Sequence, residues 1–140
     1  LAERPASGTA AAVPAPAPGA APAVAAPAFQ VRVHYFHGAK RCNTCRAIEA
    51  GARDAVEQGF PEALLAGRLA WHVQDMDTDA GARLAAELGL AGSGLAVEAV
   101  RDGARVRHKV LTRVWDLASD PEGLPAYVRD EIAAYLEAAP

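Results

Sequence analysis

The chain has 140 residues, is 51% hydrophobic and 22% charged, and carries a formal net charge of −3. That length supports one domain, and the charge balance leaves no basic footprint for nucleic acid. No apolar run of about 18 residues is present to span a membrane, and two cysteines are too few for a disulfide framework.

Residues 1–28 are mostly Ala and Pro, with six prolines and only Glu3 and Arg4 charged. They show no apolar periodicity and cannot bury enough surface to offset the entropy of ordering. A disordered, partly polyproline-II linker is expected there, ahead of a domain over 29–140. The sequence opens on Leu1, and a linker of this kind commonly follows a signal peptide or membrane anchor. The expectation is an exported or periplasmic protein, tethered to a membrane only through a segment ahead of Leu1. A spacer with no further role is the plainer alternative.

Val31, Val33 and Tyr35 alternate with Arg32, His34 and Phe36, which predicts a first strand. A helix follows from Asn43 to Gln58, ending at Gly59-Phe-Pro61, with one more turn over Pro61–Ala66. Leu69–Val73 reads as a second strand that runs into Asp75, Asp77 and Asp79. These acids lack the glycine and glutamate of a calcium loop and are read as a solvated turn, with Asp79 capping a helix to Leu88. Gly89 is its C-terminal stop. Residues 94–110 read as a hairpin turning at Asp102-Gly103, which sets Glu98 opposite Arg107 and Ala99 opposite Val106. In that register Leu95, Val97, Ala99, Val106, His108 and Val110 share a face, and Glu98, Arg105, Arg107 and Lys109 form an exposed one. A last helix over Leu124–Glu137 carries the stripe Leu124, Val128, Ile132, Tyr135 and Leu136. Trp71 and Trp115 are taken as packing residues.

Both cysteines lie between the first strand and the first helix, in Cys42-Asn-Thr-Cys45. The free N–H groups and positive dipole end of a helix stabilise a thiolate, so the acidity of Cys42 is expected to rise. Lys40, Arg41 and Arg46 add positive charge, and Cys45, one turn on, is placed to close a disulfide with Cys42. The chemistry this spacing supports is dithiol exchange. Cys42 attacks a partner disulfide and Cys45 resolves the mixed disulfide, with Asn43 and Thr44 tuning the poise. The expected partners are proteins bearing thiols or disulfides, with electrons returned by a further partner, a membrane donor if the linker is a tether, and no cofactor is expected.

Two other chemistries use the same residues. Structural zinc needs two further ligands, and His34, His37, His72 and His108 stand at no announcing spacing. A soft ion, Cu(I) or As(III), needs fewer ligands and makes metal or metalloid binding by Cys42 and Cys45 the main alternative. An interaction module with an idle site is the third reading. No Gly-x-Ser-x-Gly elbow or framed acid pair points to a hydrolase.

The element order makes an α/β chain, βαβαββα, with a four-stranded mixed sheet and helices on both faces. With Cys-x-x-Cys opening the first helix, this order resembles the minimal thioredoxin-like fold. More narrowly, Val33-His-Tyr-Phe-His37, Arg41-Cys-Asn-Thr-Cys45, Ile48-Glu49 and Val114-Trp115-Asp-Leu117 resemble the ArsF-type nitroreductase-subunit family, found beside arsenic-resistance genes. Tyr127, Glu131-Ile132 and Tyr135-Leu136 extend the likeness, which covers about residues 31–136. The resemblance implies electron delivery for the reduction of nitro compounds, with redox work at Cys42 and Cys45. Two departures from ordinary thioredoxins stand out. No proline occurs in Leu90-Ala-Gly-Ser-Gly-Leu95, so the loop facing the cysteines is expected to be trans. Phe36 stands six residues before Cys42, where ordinary thioredoxins bury an acid, and His37 is one substitute for it.

Overall fold

The computed structural model describes residues 27–138. β1 (Phe29–His37) and β3 (Gly94–Arg101) are buried along most of their lengths and form the middle of the sheet. β2 (Leu69–Asp75) and β4 (Ala104–Val110), which carry more polar residues, form its edges. The sheet order is β2-β1-β3-β4. β1 runs parallel to β2 and antiparallel to β3, and β3 and β4 form an antiparallel hairpin. A parallel β1–β2 pair requires a crossover, supplied by α1 (Asn43–Gly59) and the short α2 (Pro61–Leu65), which starts with proline at its first position.

The expected four-stranded mixed sheet with helices on both faces is what forms. On one face Val31, Val33 and Tyr35 of β1 and Leu95, Val97 and Ala99 of β3 meet Ile48, Ala52, Ala55 and Val56 of α1. The same core takes in Leu124, Val128, Ile132 and Tyr135 of α4 (Gly123–Glu137). α1 and α4 approach closely at Gly51, where a Cβ would stand 2.6 Å from Leu124 Cδ2. The opposite face holds a smaller cluster, Phe36 and Ala96 against Ala85 and Leu88 of α3 (Asp79–Leu88), with Leu90 beside them. Each large aliphatic side chain withdrawn from water contributes about 1.5–3 kcal/mol, so the α1/α4 face carries most of the stability. Among the described residues no helix is long and apolar enough to cross a membrane.

Several expectations need correction. α3 is capped by Thr78, whose Oγ1 accepts from Gly81 N at 3.0 Å, and not by Asp79. Asp79 is the first helical residue, where its charge suits the dipole. The hairpin turns where predicted, with Asp102 at φ 52° and Gly103 at φ 84°, but the register does not hold. A bulge at Ala99/Val100 leaves Val106 as an extra residue, so Ala99 faces Arg107 and Glu98 faces His108. One inserted residue inverts the parity of everything beyond it. Arg107 and Lys109 therefore reach the α4 face, where the Arg107 guanidinium carbon lies 4.0 Å from the Tyr135 ring centre. Lys109 Nζ donates to Glu131 at 2.9 Å.

Glu98, expected on an exposed face, is only 2% exposed. Its carboxylate accepts from His34 Nε2 at 2.6 Å and from Arg105 Nε at 2.8 Å, and Gln74 Nε2 lies 3.1 Å from His34 Nδ1. Trp71 is half-buried against the main core, but Trp115 is 43% exposed and is not a core residue. The linker expected at 1–28 lies almost wholly outside the described residues. Its last residue, Ala28, belongs with the domain, because its carbonyl accepts from Asp102 N at 2.7 Å.

Candidate functional site: the Cys42–Cys45 dithiol

β1 ends at His37, and the chain passes through Gly38–Arg41 to Cys42, the N-cap of α1, with φ −75° and ψ 169°. Cys42 Sγ accepts from Cys45 N at 3.2 Å. The sulfur thus takes the place that a Ser, Thr, Asp or Asn oxygen usually occupies at a helix start. Cys42 is exposed and Cys45 is 7% exposed. Their sulfurs lie 2.7 Å apart as free thiols, within a small side-chain movement of bonding.

The Cys42 thiol is held below its ordinary value, first by the side-chain hydrogen bond with Cys45 and then by the Cys45 backbone N–H; desolvation works the other way. The shift arises inside the Cys42–Cys45 turn. Arg41 spans away from the sulfurs to Glu49, Nη2 to Oε1 at 2.6 Å, and Arg53 reaches the other oxygen of that carboxylate at 3.3 Å. The Arg41–Glu49 pair fastens the loop before Cys42 to the second turn of α1. Lys40 and Arg46 are exposed. His37 is half-buried and its Nδ1 lies 3.0 Å from Gly38 O, so its bond is to the neighbouring backbone and not to a sulfur.

Tyr35, which carried no role in the sequence, stands directly beneath the dithiol. Its hydroxyl donates to the Cys45 carbonyl oxygen at 2.9 Å, and the residue is fully buried. Burial pushes the phenol upward, and charge at Cys45 and at Glu49 adds to this, while Arg41 opposes it. Phe36, at the position where an acid was sought, points into the α3 cluster on the other face. The alternation of β1 contains the signal: Val31, Val33 and Tyr35 share the helix face, so Tyr35 and not Phe36 lies under Cys45.

Trp115 closes one side of a shallow hollow of about 340 Å³ beside the site, with Asn43, Thr44, Ala47, Ala118 and Ser119. The 90–95 loop approaches the same region, since a Cβ on Gly94 would stand 3.9 Å from Trp115 Nε1. Every peptide bond of the described residues is trans, those of this loop included. Among the described residues no group of three or more His, Cys, Asp or Glu side chains is placed to hold a metal ion. Among the described residues a soft ion at the dithiol would find no third His, Cys, Asp or Glu ligand placed beside the two thiols.

No family model matches the chain, and no curated protein matches it. Among solved structures it is similar to a chain in the crystal structure of a ferredoxin:thioredoxin reductase and thioredoxin f2 complex. The identity is 16%, covering 67% of this chain and 76% of that one, with a TM-score of 0.40. It is also similar to thioredoxin from Trypanosoma brucei brucei, at 17% identity over 74% of this chain and 76% of that one, with a TM-score of 0.41. The chemistry of the site rests on its own geometry: an exposed sulfur at a helix N-terminus beside a buried one.

Proposed function

We propose that the chain is a thiol–disulfide oxidoreductase that exchanges electrons with protein partners through Cys42 and Cys45. The observation that carries this reading is the Cys42 sulfur, exposed and accepting from Cys45 N at the start of α1, 2.7 Å from the Cys45 sulfur. Such a thiol ionises readily and is open to a partner. In reduction of a partner, the Cys42 thiolate attacks one disulfide sulfur, a Cys42–partner bond forms, and the other partner sulfur leaves as a thiolate. Cys45 then attacks Cys42 Sγ, releasing the second partner sulfur. The protein ends as the Cys42–Cys45 disulfide, and two electrons and two protons pass to the partner.

The likeness of Arg41-Cys-Asn-Thr-Cys45 and Ile48-Glu49 to ArsF-type sequences supports a narrower role, electron delivery to a protein that reduces nitro compounds. The Ala- and Pro-rich composition of residues 1–28 supports an exported, tethered protein recharged by a membrane donor. Partner trapping tests the exchange reading. Cys45→Ser is expected to accumulate mixed disulfides through Cys42, whereas Cys42→Ser accumulates none. Equal trapping by both variants would overturn the division of roles between the two cysteines, and no trapping by either would remove the reading.

A further inference from the structure

Tyr35 is a fully buried phenol in an otherwise apolar part of the core, and its hydroxyl reaches the one residue of the site that is also buried. A tyrosine hydroxyl in such surroundings normally finds a partner. Here the partner is the carbonyl of the resolving cysteine, although many other arrangements of a buried phenol would satisfy it.

We propose that Tyr35 is a positioning residue for Cys45: its hydroxyl holds the first turn of α1 in the dithiol and turns to the Cys45 sulfur as that sulfur becomes an attacking thiolate. The proposal rests on the dithiol-exchange reading. In the step concerned, the Cys45 sulfur loses its proton and bonds to Cys42 Sγ while the Cys42–partner bond breaks. The electron pair leaves with the partner sulfur, which takes up a proton. Tyr35 keeps its own proton throughout and acts as a donor, since burial pushes its phenol upward and charge at Cys45 does so next.

The charged and titratable groups around the phenol are few. α1 contributes Cys45 and Glu49, and the loop before it contributes Arg41, which is bound to Glu49. Tyr35 itself belongs to the apolar cluster that includes Ile48, Leu95, Leu111 and Val114. The hydroxyl is a buried neutral donor already bonded to Cys45, the residue whose sulfur takes the charge, and a hydrogen bond to a charged group is among the stronger ones.

The test is single-turnover resolution. Cys42 of the full chain is loaded as a mixed disulfide with 5-thio-2-nitrobenzoate, and release of the chromophore by Cys45 is followed against pH. Tyr35→Phe is expected to slow release about tenfold, as loss of a bond to a charged group would do, and to move its pH midpoint upward. The pH profile for alkylation of Cys42 stays where it is in the unaltered protein. Should Tyr35→Phe fail to fold, 3,5-difluorotyrosine at position 35 keeps the shape and makes the phenol a stronger donor. It is expected to move the midpoint of release downward. Unchanged rate and midpoint in either variant would overturn the role of Tyr35 while leaving dithiol exchange standing. Absence of intramolecular release in the unaltered protein would overturn dithiol exchange, and the role of Tyr35 with it.

Discussion

At Cys42 one sulfur both caps a helix and offers itself for exchange. A thiolate accepts the Cys45 N–H more strongly than a disulfide sulfur does, so the start of α1 favours the reduced, ionised form. The buried pair on the other face works by a different balance. Burial alone would raise the Glu98 carboxyl, but the hydrogen bonds from His34 and Arg105 outweigh it and hold the group at about 2, against 4.5 for a free glutamate. The unfolded chain then takes up this proton first as pH falls. Stability from Glu98 is full above about pH 4.5 and is lost as pH drops toward 2. Glu98→Gln is expected to lower unfolding free energy at pH 7 by roughly 1–3 kcal/mol. The difference from the unaltered protein should shrink at pH 3. Denaturant melts at the two pH values measure this, and an equal difference at both would show that the ionised carboxylate contributes nothing.

At the scale of elements, the hairpin shows what local signals carry and what they do not. Asp102-Gly103 placed the turn because only those residue types enter the left-handed region readily. Gly103 sits at φ 84° with open space where a Cβ would go, so Gly103→Ala meets backbone strain and no clash. That change is expected to cost about 1–2 kcal/mol, read as a lower denaturation midpoint with unchanged slope; no loss would mean that the turn relaxes freely. Nothing in Arg105-Val-Arg107 marks the bulge, because an extra residue is fixed by the fit of two strands and not by its own propensity. Glu98 stands on the side of β3 that alternation assigns it; its burial was hidden because it depends on His34, 64 positions away on β1, which the hairpin alone does not show. Helix ends were more legible: α1 and α4 match to within a residue, since their apolar spacing and stops are local. Thr78 was passed over for Asp79 because both are good caps, and only the backbone turn decides between neighbours.

Across the whole molecule, the layered α/β arrangement was legible because each apolar stripe has one face to bury. The dithiol was legible because Cys-x-x-Cys at a strand-to-helix junction places both sulfurs at a helix start. What surrounds the dithiol was not: Tyr35 beneath it, the Arg41–Glu49 pair fastening its loop, and Trp115 beside it meet only when β1, α1 and the 3₁₀ turn at Thr112–Val114 come together. The central claim is that Cys42 and Cys45 form a reversible two-electron couple. Equilibration of the full chain against dithiothreitol or glutathione over a range of ratios, followed by acid quenching, thiol alkylation and mass measurement, tests it most directly. The account predicts one two-electron transition between a doubly alkylated monomer and an unalkylated monomer. A chain that stays doubly alkylated at every ratio, or that oxidises only to dimers through Cys42, would contradict it.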